Sequence, residues 1–475
     1  MLLCTLFIPP AFGAGEDLPD IGSPSDTILS KELEAQIGRS IYKSLRDADQ
    51  IVTDPEIQEY IQNVGQKLAA NAQDGDFQFK FFVVNDPAIN AFALPGGYIG
   101  VHSGLLLATK NESELAGVMA HEISHVTQRH ISRSIYAAKQ ASILTIAAML
   151  GAILVGAATG SGDIITGGIM GAQGLAAQQQ IDFTRGNEYE ADRVGVGVLA
   201  ASGFDPYGMP DFFETLGRQS GSTAYQAPEF LRTHPVTVNR IAETRGRAAQ
   251  YPEVESVDAT SYSLTRARLR LLASRTPEDA LAHFVGNLEI PDRVGEIGTE
   301  YGIALSQIQL GQYKAAHASL QDLLGANEAI IHFHTGYAMS QMAIGDREGA
   351  FSTYRNAMKL FPRNVPLTIR YAEALMQDDQ PDVAHEVLLD LYNQVPPTPE
   401  GVRLIALAAS AAGDVADAHY YMAEYHLLRG DLMMATDQLY LALGIPDLDS
   451  IQRARFLSRL EQIQQFAPKN NGRKK

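Results

Sequence analysis

Four alanines, Ala316, Ala350, Ala384 and Ala418, recur at a constant interval of 34 residues, in the segments "LGQYKAA", "IGDREGA", "DDQPDVA" and "AGDVADA". Gly311, Gly345 and Gly413 keep the same period, and Asp379 fills the remaining slot. A unit of this length is a pair of antiparallel helices, with a small residue in its turn and alanine where the two helices come closest. One such hairpin cannot bury its own apolar face, so four in phase commit this half of the chain to a stacked helical array. Tyr354, Ala357 and Pro362 supply the downstream positions of the second unit. "HLLRGDLMMATDQLYLAL" repeats the pattern out of phase, with Ala435 only 17 residues after Ala418. "DSIQRARFLSRLEQIQQF" is expected to close the array with a charged outer face, and "APKNNGRKK" reads as a disordered tail.

A chain of 475 residues exceeds what one core covers, so further domains are expected upstream. Ser30 to Ala48 and Asp54 to Ala72 have helical spacing, with Ser30 and Asp54 as N-caps. "FQFKFFVVND" (Phe77 to Asp86) is aromatic and β-branched and reads as a strand. "FALPGGYIGVHSGLL" places a Pro-Gly-Gly turn before what is expected to be an edge strand. Asn111 then caps a helix, with Glu114 at the reciprocal capping position. The order is α+β. The polar "YPEVESVDA" (Tyr251 to Ala259) is the expected linker to the array.

The net charge of −18 argues against wrapping nucleic acid, or holding an anionic membrane, by charge alone. The only cysteine, Cys4, lies in "MLLCTLFIPPAFGAG", which has the apolar and small-residue regions of a secretory signal without a basic leader. Cleavage near Gly13 to Gly15 would leave a chain without cysteine, suited to an oxidising compartment. No charged residue other than Lys139 stands just before or within Gln140 to Gly162, and "ASILTIAAMLGAILVGAA" (Ala141 to Ala158) is nearly long enough to cross a bilayer. A single crossing would separate the two candidate ligand helices described next, so this segment is expected to be a core, lid or membrane-surface element.

In "AGVMAHEISHVTQRH" (Ala116 to His130), His121 and His125 share one helix face. Both can point imidazoles at one ion, and Glu122 can reach a water on it. A catalytic zinc site takes three protein ligands, which sends the search to a second helix at "TRGNEYEADRVGVGVLA" (Thr184 to Ala200). There Glu188 and Asp192 stand at i and i+4: one can bind the metal while the other accepts a ring N–H from a ligand histidine. Glu190 points elsewhere, and such carboxylates often form only a solvated face. In "FLRTHPVTVNRIAE" (Phe230 to Glu243) a helix is expected from Pro235, leaving His234 on its approach and Arg240 beyond. His234 can donate to a developing oxyanion or occupy the metal's open position, and a plain surface histidine is the competing reading. His130 and His102 are read as having no role at the metal.

"HEISH", "NEYEAD" and "THPVTVNR" followed by a tetratricopeptide-type array resemble the BepA-type bacterial zinc metallopeptidases, in the wider family of HtpX, the CAAX prenyl protease and Oma-type proteases. The resemblance implies an α+β zincin-like metallopeptidase domain followed by an all-α tetratricopeptide-repeat solenoid. The expected boundaries are a signal peptide over 1–15, the peptidase over 26–250, the repeats over 262–467 and a tail over 468–475. It implies one Zn²⁺ per chain held by His121, His125 and Glu188, with Glu122 as general base and Asp192 in support. His234 and Arg240 would sit at the catalytic cleft. By the same resemblance the chain is periplasmic in a Gram-negative bacterium and cleaves unfolded or misassembled outer-membrane proteins. Its repeats would assist assembly and contact the barrel-assembly machinery. The alternative is a repeat-based scaffold with a self-inhibited peptidase half. "YIGVHSGLL" is expected to align substrate as an added strand.

Overall fold

The computed structural model describes residues 29–72, 77–138, 185–219, 228–252, 254, 260–288, 293–446 and 448–466. The expectations for 1–15, 141–158 and 468–475 lie outside the described residues, as does most of the linker. Among those described, no helix is long and apolar enough to cross a membrane.

Helices α1 (Lys31–Asp47) and α2 (Pro55–Ala69) begin where side chains satisfy the first free amides. Ser30 Oγ accepts from Leu33 N at 3.3 Å, and Asp54 Oδ1 from Ile57 N at 3.2 Å. Strands β1 (Lys80–Val84), β2 (Ala91–Leu94) and β3 (Tyr98–His102) form one sheet in the order β1-β3-β2. β1 runs parallel to β3 with Lys80 opposite Tyr98, and β2 antiparallel with Ala91 opposite Val101. The β2–β3 turn uses Gly96 and Gly97 at φ 78° and 87°, a left-handed backbone that side chains disfavour. The edge-strand expectation for "YIGVH" is therefore corrected. β3 is central, with its backbone groups engaged on both sides, and β1 and β2 are the outer strands, β2 folded back along β3 by the tight turn.

After α3 (Ser103–Ala108), α4 (Glu112–Thr127) carries the histidine pair. Asn111 Oδ1 accepts from Glu114 N at 2.9 Å, while the Glu114 carboxylate accepts from Lys110 N, one residue earlier than the reciprocal cap predicts. Every residue of α4 from Glu114 to Thr127 is buried. It is enclosed by α2, the sheet, α6 (Arg185–Ala201) and α7 (Gly208–Gln219), and α5 (His130–Ala138) follows it. Then come α8 (Glu229–Thr233) and α9 (Val238–Ala248). The helix expected from Pro235 starts three residues later, because Thr237 caps it by accepting from Arg240 N at 3.3 Å.

The array comprises α10 (Thr260–Ala273), α11 (Pro277–Asn287), α12 (Arg293–Gln309), α13 (Tyr313–Ala326), α14 (Ile331–Ile344) and α15 (Arg347–Leu360). It continues through α16 (Val365–Gln377), α17 (Pro381–Tyr392), α18 (Pro399–Ala411), α19 (Val415–Leu428), α20 (Leu432–Leu443) and α21 (Ser450–Phe466). The four period alanines are all buried in the second helix of their hairpins. Gly311, Gly345 and Gly413 end the first helices at φ 73°, 88° and 88°, and Asp379 takes φ 57° in the same slot. Aspartate tolerates that conformation better than most side chains, so the period survives the substitution. Helix α21 closes the stack, and Arg459 pairs with Glu424 at 2.6 Å.

Helix α10 joins the two halves: Tyr262 and Leu269 pack into the core around α4, while Leu264, Ala267 and Leu271 pack with the first repeats. A buried charge cluster reinforces the junction. Asp54 Oδ2, on the residue that caps α2, lies 2.5 Å from Arg268 of α10 and 2.7 Å from Arg370 of α16. Glu56 Oε2 lies 2.8 Å from Arg370, so two carboxylates balance two guanidinium groups.

Candidate metal centre

The spacing of His121 and His125 puts both rings on one side of α4, with Nε2 atoms 3.0 Å apart. Helix α6 crosses α4 closely because Gly195 has no side chain: a Cβ there would lie 3.2 Å from His121 N. Glu188 and Asp192 share the face of Gly195, seven and three residues earlier, and the crossing delivers both to the histidines. Glu188 Oε2 lies 3.6 Å from His121 Nε2, and its Oε1 lies 3.6 Å from His125 Nε2. The turn between α8 and α9 adds His234, with Nδ1 3.1 Å from Glu188 Oε1 and 3.4 Å from His121 Nε2. Phe230 stacks on the His234 ring at 4.8 Å and fixes its plane.

These four side chains are the group among the described residues whose donor atoms all fall within 4.8 Å of one another. Bonds of about 2.0–2.2 Å to a tetrahedral zinc would space the ligand atoms by about 3.3–3.6 Å. Of the separations quoted above, 3.4, 3.6 and 3.6 Å fall in that range, and 3.0 and 3.1 Å lie just below it. Three ring nitrogens and a carboxylate also converge with more acceptor sites than N–H groups to fill them, which a divalent cation resolves. The remaining ring nitrogens have other partners. His121 Nδ1 lies 3.0 Å from Asp192 Oδ1, and His125 Nδ1 lies 2.8 Å from His130 Nδ1. Both Nε2 atoms are left to face an ion.

Arg240 is buried rather than exposed in a cleft. Its Nε and Nη2 reach the two oxygens of Asp192 at 2.7 and 2.8 Å, and its Nη1 reaches Glu188 at 2.8 Å. The guanidinium thus holds both carboxylates in place and, against burial, helps to lower the pKa of Asp192. Burial works against charge on Glu188, but His234 and His121 outweigh it and hold its carboxyl well below the usual range. Burial likewise opposes the imidazolium of His121, yet Asp192 and Glu188 push its pKa up to about 9. His125 is driven the other way, by burial and then by His121. Glu122 lies beside the cluster with Oε1 3.5 Å from His234 Nε2, and neither carboxylate oxygen has a well-formed hydrogen bond. Burial raises its pKa, a condition suited to passing a proton.

His130 corrects the sequence reading, which gave it no role. On a continuous helix a residue five positions after His125 would point about 140° away. Helix α4 ends at Thr127, however, and Arg129 at φ 52° turns the chain so that His130 swings back beneath His125. His130 Nε2 lies 3.2 Å from Glu190 Oε2, and Arg133 Nη1 lies 2.8 Å from the same oxygen. Glu190, read as pointing elsewhere, anchors this chain, and only a left-handed arginine that sequence does not announce could have revealed it. His130→Ala is expected to weaken metal binding about 10–100-fold by releasing the His125 ring. Competition against a chelator measures this, and unchanged affinity would remove His130 from the site.

A buried cluster of three histidines and a carboxylate on crossing helices, with a second buried carboxylate beside it, suits a metal centre, and it is joined to a helical repeat array. The profile of peptidase family M48 matches residues 55–248. The chain is 35% identical over 470 residues to a putative beta-barrel assembly-enhancing protease of Vibrio cholerae, covering 97% of this chain and 96% of that one. It is 33% identical to the beta-barrel assembly-enhancing protease of Escherichia coli, covering 97% and 94%. The likeness to mitochondrial metalloendopeptidase OMA1 of Arabidopsis thaliana is 32% over 217 residues, covering 45% and 41%. The chain belongs to peptidase family M48, among relatives of the beta-barrel assembly-enhancing type.

Proposed function

We propose that this chain is a zinc endopeptidase that cuts unfolded or misassembled outer-membrane proteins in the periplasm of a Gram-negative bacterium. Its repeats would deliver clients and meet the barrel-assembly machinery, and the same surface would assist assembly without cleavage. The convergence of His121, His125 and Glu188 beside the buried carboxylate of Glu122 carries the peptidase reading. One Zn²⁺ held by those three side chains would supply Lewis-acid polarisation of a peptide carbonyl and a water acidified to about pKa 7. Glu122 takes the proton of the attacking water and passes it to the leaving amine. Asp192, Arg240 and His130 position the ligands and touch no substrate. The outer strand β2, with the Ala93 backbone beside Glu122, replaces β3 as the edge on which an extended substrate aligns. The proposed domain division keeps the peptidase over 26–250 and the repeats over 262–467. The test is cleavage of an unfolded outer-membrane barrel protein by the zinc-loaded chain, abolished by chelation and restored by zinc.

The scaffold reading gains support from one observation: His234 takes the fourth corner of the donor set and is 2% exposed, so the site is closed as it stands. Only the fraction of molecules with His234 displaced would be competent. His234→Ala is accordingly expected to keep zinc and to raise the cleavage rate about tenfold. A fall in rate with unchanged metal content would instead make His234 an oxyanion donor.

A further inference from the structure

Next to the buried charge cluster an open groove of about 450 Å³ separates the peptidase half from the array. Tyr42 and Arg46 of α1 and Lys80 of β1 line one side; Ile369 of α16 and Leu404 and Leu407 of α18 line the other. The three carboxylates that border it are already engaged. Glu400 pairs with Arg46 at 3.1 Å, Glu373 with Arg370 at 3.0 Å, and Glu59 accepts from Asn364 at 2.9 Å. Two cations remain. Among the described residues neither the Lys80 ammonium nor the Arg403 guanidinium has an ion pair or side-chain hydrogen bond. The Tyr42 ring lies 5.0 Å from the Lys80 nitrogen, and Glu400 and Arg46 act on it at longer range.

A partly buried ammonium without an ion pair of its own, its nearest carboxylate Glu400 already held by Arg46, is an unfavourable arrangement that a ligand carboxylate would relieve. Burial and then the nearby Arg46 hold the Lys80 pKa below the ordinary lysine value. The apolar wall is accessible too, with Leu407 45% exposed. We propose that this groove docks an extended segment of a non-native protein, an acidic side chain of which pairs with Lys80 while its apolar neighbours lie on Ile369, Leu404 and Leu407. Arg403, exposed at the rim, draws the acidic segment in. Charge complementarity selects this occupant: the charged groups of the groove that lack both an ion pair and a side-chain hydrogen bond are the cations Lys80 and Arg403, beside an apolar wall, in a chain whose net charge is −18. Docking is independent of the peptidase reading, because binding is measured without hydrolysis.

The experiment is fluorescence anisotropy on the full chain carrying Glu122→Gln, so that no probe is cut. The probes are end-blocked nonapeptides of apolar residues with Glu, Gln or Lys at the centre. The Glu peptide is expected to bind about tenfold more tightly than the Gln peptide at low salt, and the Lys peptide most weakly. Lys80→Gln is expected to remove the Glu preference without lowering the melting temperature, and Lys80→Arg to retain it. Equal binding of the three peptides by the unaltered groove, or a Glu preference that survives Lys80→Gln, overturns the proposal. So does a preference shown only by a Gln peptide with a free C-terminal carboxylate, which would assign the groove to chain ends. The three-peptide comparison decides the matter even if Lys80→Gln does not fold.

Discussion

Glu122→Gln is expected to lower the cleavage rate of an unfolded substrate about 10²–10⁴-fold while the protein keeps its zinc. The amide preserves the shape of the side chain but cannot accept the proton of an attacking water. Metal should be retained because Glu122 is not among the four clustered donors. Nor should the fold suffer: both oxygens of Glu122 are buried without a well-formed hydrogen bond, so the variant gives up little and sheds a desolvated charge. The measurements are turnover, zinc content and melting temperature on the same preparation. Full activity in the variant would sink the acid-base assignment, and loss of zinc would move Glu122 into the ligand set.

The second large effect belongs to the junction. Asp54→Asn is expected to destabilise the chain by about 3–5 kcal/mol, because it leaves Glu56 as the one carboxylate shared by Arg268 and Arg370, Glu373 reaching Arg370 alone. That is a large part of the stability of an ordinary domain, so chemical unfolding should separate into two transitions as the halves come apart. The sign of the pH dependence follows from the same contacts. Burial opposes the ionised form of Asp54, but Arg268 and Arg370 overcome it and hold the carboxyl far below its usual range. A depressed folded-state pKa contributes stability above about pH 4, the unfolded value, and loses it as pH falls further. The denaturation midpoint of the native chain should therefore drop between about pH 5 and pH 3, and that of Asp54→Asn should drop less. Parallel pH profiles would show that the cluster does not hold the halves together.

Local rules written into the sequence account for much of this structure. The 34-residue period determined the hairpin array, because each turn needs a left-handed residue and each hairpin a small one, and both demands recur at fixed distance. Caps at Ser30, Asp54 and Asn111 are likewise local chemistry. The i, i+4 pairs His121–His125 and Glu188–Asp192 were legible because a helix fixes which residues share a face. Three things were not local, and the sequence was silent or misleading about them. The place of β3 at the centre of the sheet depends on its pairing in parallel with β1 as well as with β2, its partner across the turn. The approach of His130 to His125 depends on a turn at Arg129 that no glycine or asparagine marks. The burial of Arg240 against Asp192 and Glu188, and of Arg370 against Asp54 and Glu56, joins residues 48 and more than 300 positions apart. By itself, then, the sequence determined which side chains lie together on each helix, since backbone periodicity needs no partner. Which helices meet, and therefore which charges end up paired and which stay uncommitted, was decided by tertiary packing, where burying apolar surface sets the contacts and electrostatics must be satisfied within them.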